Sequence, residues 1–207
     1  MSQKVIPLFA SPICLFELNI SKEHQDKIES ILHKLEYEPA DNRECYLSRD
    51  VYLYNNKNIY SPLTTLKTKI LDSINLFNEE VMSYKKTEFE ITTSWATRCS
   101  FNEESGRHKH CNNMYSAVYY NKCHDNSSKI EFHNNNWSSH NYDLGVSEYN
   151  HFNSSTWSIE PRDKLLIVFP SSMYHKISKN LGPKPRYSIA CNARPLPPYG
   201  YRDSYIK

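Results

Sequence analysis

Apolar residues recur along this chain with two different periods, and the change from one to the other falls near Glu88. Before it the spacing is helical. Ser21 stands ahead of Ile28, Ile31, Leu32 and Leu35, the three-and-four spacing of one helix face behind a capping hydroxyl. Ser61-Pro62 announces a second helix, an N-cap with proline at the first helical position, carrying Leu63, Leu66, Ile70, Ile74, Phe77 and Val81 on one side. These faces are packing surfaces without chemistry. Ahead of both helices, Lys4–Phe9 and Ile13–Leu18 read as extended segments separated by Ala10-Ser11-Pro12.

After Glu88 the period becomes two. Phe89–Ala96, Met114–Tyr120, Ile130–Phe132, Thr156–Ile159, Leu165–Phe169, His175–Ile177 and Tyr187–Asn192 are short alternating or apolar runs parted by turn residues. Such a series predicts a sandwich or small barrel, with the two helices packed outside a β core. His133 to Ser155 breaks the pattern, being rich in Asn, His and Ser, and reads as a long loop inserted between strands.

Composition narrows the picture from there. With 207 residues the chain suits one domain with a substantial core: a mixed α/β support region over 1–85, a β core over 88–194 and the insertion over 133–155. The formal charge of +2, 25 basic against 23 acidic side chains, creates no field that would gather nucleic acid or an anionic membrane. No apolar run approaches the roughly 20 residues that span a bilayer. The six cysteines, Cys14, Cys45, Cys99, Cys111, Cys123 and Cys191, form no C-x-x-C pair and follow no signal peptide, which implies free thiols in a reducing cytoplasm. With 4 glycines the chain also contains neither G-x-x-x-x-G-K nor G-x-G-x-x-G, so a glycine-rich phosphate loop is excluded.

The candidate chemistry lies in Arg107-His108-Lys109-His110, in His175 and in Arg186-Tyr187-Ser188. Two histidines at i and i+2 on a strand share a face. A third from a distant strand completes three sides of a metal and leaves positions open for a cosubstrate and dioxygen. Arg186 and Ser188 repeat the same-face logic with a fixed cation and a hydroxyl suited to a carboxylate. Taken alone, His-x-His is common by chance, and the bland reading of Arg186 is a surface ion pair. The histidines His124, His133, His140 and His151 match no zinc spacing and read as surface residues.

The order of these motifs resembles that of the Fe(II)- and 2-oxoglutarate-dependent oxygenases, and more narrowly a phage and bacterial branch of that superfamily. The resemblance starts at Pro7-Leu8-Phe9-Ala10-Ser11-Pro12-Ile13 and resumes at Ser94-Trp95. It runs on through His108-Lys109-His110-Cys111-Asn112-Asn113, Ser116-Ala117-Val118-Tyr119-Tyr120, Val168-Phe169-Pro170-Ser171, His175 and Arg186 to Asn192. It implies a mainly β fold with flanking α, a double-stranded β-helix (jelly roll, cupin-like) core with the N-terminal helices outside. It implies Fe(II) and 2-oxoglutarate as cofactors, with His108, His110 and His175 as metal ligands. Arg186 and Ser188 then grip the far carboxylate of 2-oxoglutarate, and Tyr120 hydrogen-bonds it. Asn192 shares the face of Ser188 and is a weaker candidate for lining the site.

One position departs from the superfamily, whose acidic ligand two residues after the first histidine is His110 here. A neutral imidazole still ligates iron, yet it also suits zinc, nickel and copper. The readings are therefore a dioxygenase acting on a small-molecule or peptide substrate, a non-catalytic metal-binding cupin-like module, or a three-histidine dioxygenase without 2-oxoglutarate. Oligomeric state is not legible.

Overall fold

The computed structural model describes residues 2, 4–7, 9–39, 46–48, 53, 61–134 and 145–207. Leu8, Cys45 and His140 lie outside the described residues, as does the middle of the 133–155 insertion. The elements run β1 (Cys14–Glu17), α1 (Lys22–Lys34), β2 (Glu38–Pro39), β3 (Tyr46–Ser48) and α2 (Ser61–Leu76), which a π-helical turn extends over Phe77–Val81. There follow β4 (Phe89–Cys99), β5 (Tyr115–Tyr120), β6 (Ile130–His133), β7 (Thr156–Ile159), β8 (Leu165–Pro170), β9 (Tyr174–Ile177) and β10 (Arg186–Pro195).

All pairings are antiparallel. A larger sheet has the order β1-β8-β5-β10-β4-β3-β2 and a smaller one the order β7-β6-β9. This is the two-sheet arrangement of a jelly roll. Strand alternation gives the larger sheet two working faces. On β5, Tyr115, Ala117 and Tyr119 pack with Leu63, Leu66, Ile70 and Ile74 of α2 and Ile28 and Leu32 of α1. Each such aliphatic side chain contributes about 1.5–3 kcal/mol when fully buried. The opposite face, with Tyr120, Leu165, Ile167 and Phe169, closes against Ile130 and Phe132 of the smaller sheet.

Ser21 caps α1 as its position predicts, its hydroxyl accepting from the His24 N–H at 3.3 Å. Two expectations need correction, and two short strands are additional to the pattern. Lys4–Phe9 forms no strand among its described residues. Val81 is 45% exposed, because the π turn, in which the Met82 N–H donates to the Phe77 carbonyl at 3.0 Å, rotates the helix face. Asn78 swings inward instead, accepting from the Tyr115 hydroxyl at 3.0 Å. Finally, β2 and β3 are not legible as strands in the sequence pattern; β3 pairs with β4 and brings Leu47 to the wall of the cavity described next.

Candidate active site

Between the sheets lies a narrow cavity, partly open to solvent. His108, His110 and His175 line it, and so do Arg186, Ser188 and Tyr120. His175 sits on β9, 5% exposed, with Phe169 4.9 Å away ring to ring. His108 and His110 are not on a regular strand. A single antiparallel bridge ties His108 to His175, through N–H···O bonds of 2.9 and 2.8 Å, and the His110 N–H donates to the Ser171 carbonyl at 2.9 Å. The segment is extended enough to keep the alternation. Arg107 and Lys109 turn outward over the Tyr174 ring, at 4.8 and 5.3 Å, while the two histidines turn in.

The ligand nitrogens of the three imidazoles lie within 4.8 Å of one another. Donors about 2.0–2.2 Å from one ion stand roughly 3 Å apart, so small ring rotations suffice to close the set. The tautomers suit this. Nδ1 of His108 lies 2.9 Å from the Gly106 carbonyl and Nδ1 of His175 lies 2.9 Å from the Met173 carbonyl. A carbonyl only accepts, so each Nδ1 holds the proton and Nε2 keeps the lone pair a metal needs. Among the described residues no other group of three His, Cys, Asp or Glu meets this test, and no carboxylate joins the three histidines. His133 instead lies 3.2 Å from Glu131, His151 stacks on Trp157 at 4.3 Å, and His124 Nδ1 meets the Asp125 carbonyl at 3.1 Å.

Arg186 is no surface ion pair. It is 1% exposed on β10, paired in register with Cys99 of β4, its guanidinium 5.3 Å over the Tyr120 ring. Nε and one terminal nitrogen have no partner among the described residues. A buried cation with unmet donors is costly unless an anion completes it, and a planar guanidinium offers a carboxylate two parallel bonds. Ser188, 2% exposed, shares its face two residues on. Burial pushes the Tyr120 phenol up to about 12, so at neutral pH its hydroxyl keeps a proton to donate. Asn192 does not line the cavity. Its amide is taken up within the sheet, Oδ1 accepting from Ser116 at 2.7 Å and Nδ2 donating to Thr93 at 3.1 Å. Ser116 does line the cavity and carries no motif that marks it, although alternation from Tyr120 along β5 puts both on one face.

Residues 93–192 match the family model described as "Putative 2OG-Fe(II) oxygenase". That stretch, just under half of the chain, is similar to the 2OG-Fe(II) oxygenase family. The cofactors of that family are Fe(II) and 2-oxoglutarate. No curated protein sequence matches the chain. Solved structures share the oxygenase fold at low identity. A prolyl-4-hydroxylase from Pseudomonas putida is 15% identical, with TM-score 0.59, covering 90% of this chain and 95% of that one. A prolyl hydroxylase from Trichoplax adhaerens, in complex with a hypoxia inducible factor oxygen degradation domain peptide fragment, is 11% identical, with TM-score 0.59, covering 88% and 83%. HygX from Streptomyces hygroscopicus, with nickel, 2-oxoglutarate and hygromycin B bound, is 9% identical, with TM-score 0.56, covering 89% and 83%.

Proposed function

We propose that the protein is an Fe(II)- and 2-oxoglutarate-dependent dioxygenase that hydroxylates a small-molecule or peptide substrate, working as one domain over 1–207. The observation that carries this reading is the pairing, in one cavity, of three convergent imidazoles with a buried guanidinium whose donors lack partners. His108, His110 and His175 would hold the metal through their lone-pair nitrogens. Arg186 would take the far carboxylate of 2-oxoglutarate, with Ser188 and the protonated Tyr120 hydroxyl as further donors. Bound together, Fe(II) and 2-oxoglutarate supply the activation of dioxygen for attack on a C–H bond.

The chain's own residues do the rest. Arg186, at the start of the central strand β10, orients the cosubstrate in the cavity with the histidines. Phe169, Phe132 and Ile130 exclude water from the inner wall. The free thiols Cys14, Cys99, Cys111, Cys123 and Cys191 support a reducing cytoplasmic setting. No helix among the described residues is long and apolar enough to cross a membrane.

The reading is tested by anaerobic titration with 2-oxoglutarate, which is expected to perturb the protein only when Fe(II) is present. A response to 2-oxoglutarate that ignores the metal would overturn it. His110→Asp restores the superfamily's acidic ligand and supplies the negative charge a hard divalent ion favours. It is therefore expected to keep the rise in melting temperature that Fe(II) induces, and loss of that rise would remove His110 from the metal set.

A further inference from the structure

His110 occupies a position with unusually little secondary structure to hold it. It belongs to no strand, and the bridge that secures His108 stops two residues short of it. One hydrogen-bonded path reaches its backbone from the Asn192 side chain, and a second reaches the neighbouring residue from Thr92 beside it.

The first path runs through hydroxyls. Ser116 donates to Asn192 Oδ1 at 2.7 Å, and Ser116 and Ser171 hydroxyls are 2.8 Å apart. Because the Ser116 proton is committed to an amide oxygen that only accepts, Ser171 must be the donor of the second bond. Ser171, 0% exposed, then receives the His110 N–H on its carbonyl at 2.9 Å. The second path uses an irregularity in the sheet. The register of β10 on β4 shifts between Asn192 and Ala193, leaving Thr92 as an extra residue opposite them. Such a bulge re-aims a side chain. The single Thr92 hydroxyl proton goes to the nearer acceptor, Asn113 Oδ1 at 2.6 Å, so the Asn192 carbonyl at 3.2 Å stands beside this path and does not head it. Asn113 in turn donates from Nδ2 to the Cys111 carbonyl at 2.8 Å, immediately after His110.

We infer that Asn192 is a positioning residue for His110. Its side chain anchors the path that ends on the His110 N–H, so it acts on the metal through His110 without touching the cavity. The inference rests on His110 being a metal ligand, as proposed above. It also explains why an amide, and not a carboxylate or an aliphatic chain, stands at 192. Ser116 needs an acceptor there and Thr93 a donor, and one side chain supplies both.

The test is a double-mutant cycle read by Co(II) titration of the whole chain, using the metal absorption bands and no turnover. Asn192→Leu is expected to weaken Co(II) binding by about tenfold, the usual cost of removing an outer support from a metal ligand. In a His110→Ala background the same substitution is expected to add nothing, because the group it positions is gone. Equal weakening in both backgrounds would mark Asn192 as a general structural residue and overturn the inference, as would no weakening in either. Should Asn192→Leu fail to fold, Ser116→Ala, which cuts the first path with a smaller change, takes its place in the cycle, and the same two results support or overturn the inference. If His110→Ala alone leaves Co(II) affinity untouched, it is the metal set that falls, which separates that failure from this one.

Discussion

The histidine and the arginine parts of the cavity wall are built on opposite principles. Arg186 lies on the ten-residue β10, which is flanked by β4 and β5 in the interior of the larger sheet, and is almost wholly buried. His108 and His110 lie on an irregular, half-buried segment secured by a few backbone bonds and by side-chain relays. A grip on an anion gains from burial, since removing water strengthens every charge-assisted bond made to it. On the proposed function, the histidines must stay open to admit a second substrate and dioxygen. The contrast teaches that the rigid sheet supplies the desolvated charge, while open chemistry is delegated to a rim that needs separate bracing.

The largest expected effect breaks the histidine part. His108→Ala or His175→Ala should abolish the Fe(II)-dependent rise in melting temperature, because a metal held only by the folded state stabilises by about 2.7 kcal/mol at a hundred times its Kd and a lost donor removes that linkage. Melting curves with and without Fe(II) decide it, and a full shift in either variant would detach that residue from the site.

Arg186→Met breaks the arginine part. Loss of a charge-assisted carboxylate contact of about 1.5–3 kcal/mol should raise the Kd of 2-oxoglutarate at least tenfold in the presence of Fe(II). The metal-induced shift should stay intact. In addition, the ligand-free variant should melt higher than the parent, since an unpartnered buried cation is replaced by an apolar chain of similar length. A lower ligand-free melting temperature would mean that Arg186 holds the fold as well as the anion.

Alkali probes how dry the sheet is. Burial raises Tyr120 and Tyr115 from 10.0 to about 12, and Cys191 from 9.0 to about 12. The unfolded chain loses these protons first, so stability contributed by the neutral forms is complete below about pH 9 and drains away as pH climbs toward 12. Urea midpoints between pH 8 and 12 should fall accordingly, and Cys191→Ala should flatten the part of that fall between pH 9 and 10. An unchanged slope would show that the thiol is not buried from water.

The smallest expected effect sharpens the comparison by leaving both parts alone. Ser21→Ala removes the cap of α1 and should cost about 1 kcal/mol of stability. Affinities for Fe(II) and 2-oxoglutarate should not move, because the helix packs on the far face of the sheet. Any change in either affinity would couple that face to the cavity.

Periodicity makes the bulk of the fold legible, because a helix repeats every 3.6 residues and a strand every two, and burial on one face writes that repeat into the sequence. The limits of α1 and the existence of β4 to β10 follow from it. So does the sharing of a face by Arg186, Ser188 and Ala190, which line one cavity. What the pattern does not show are features that depend on partners remote in the chain. The two-residue β2 and three-residue β3 are too short to carry a period and exist because β4 offers an edge to β3 and β3 offers one to β2. Val81 escapes the helical pattern because a π turn shifts the face within a continuous apolar series. His108 and His110 share a side as spacing requires, yet not on a strand, since only the approach of His175 and Ser171 extends them.

Asn192 gives the sharpest division. Its own sequence position determined that it stands on the face of Ser188. Whether it met the cavity or the sheet's interior was decided by the register of β5 and by one extra residue in β4, which bring Ser116 and Thr92 to it. The local chain encodes which side a residue takes, because alternation is a property of the backbone. What it meets there depends on which strands pair and in what register, and that is fixed only when hydrogen bonds form between segments far apart in sequence.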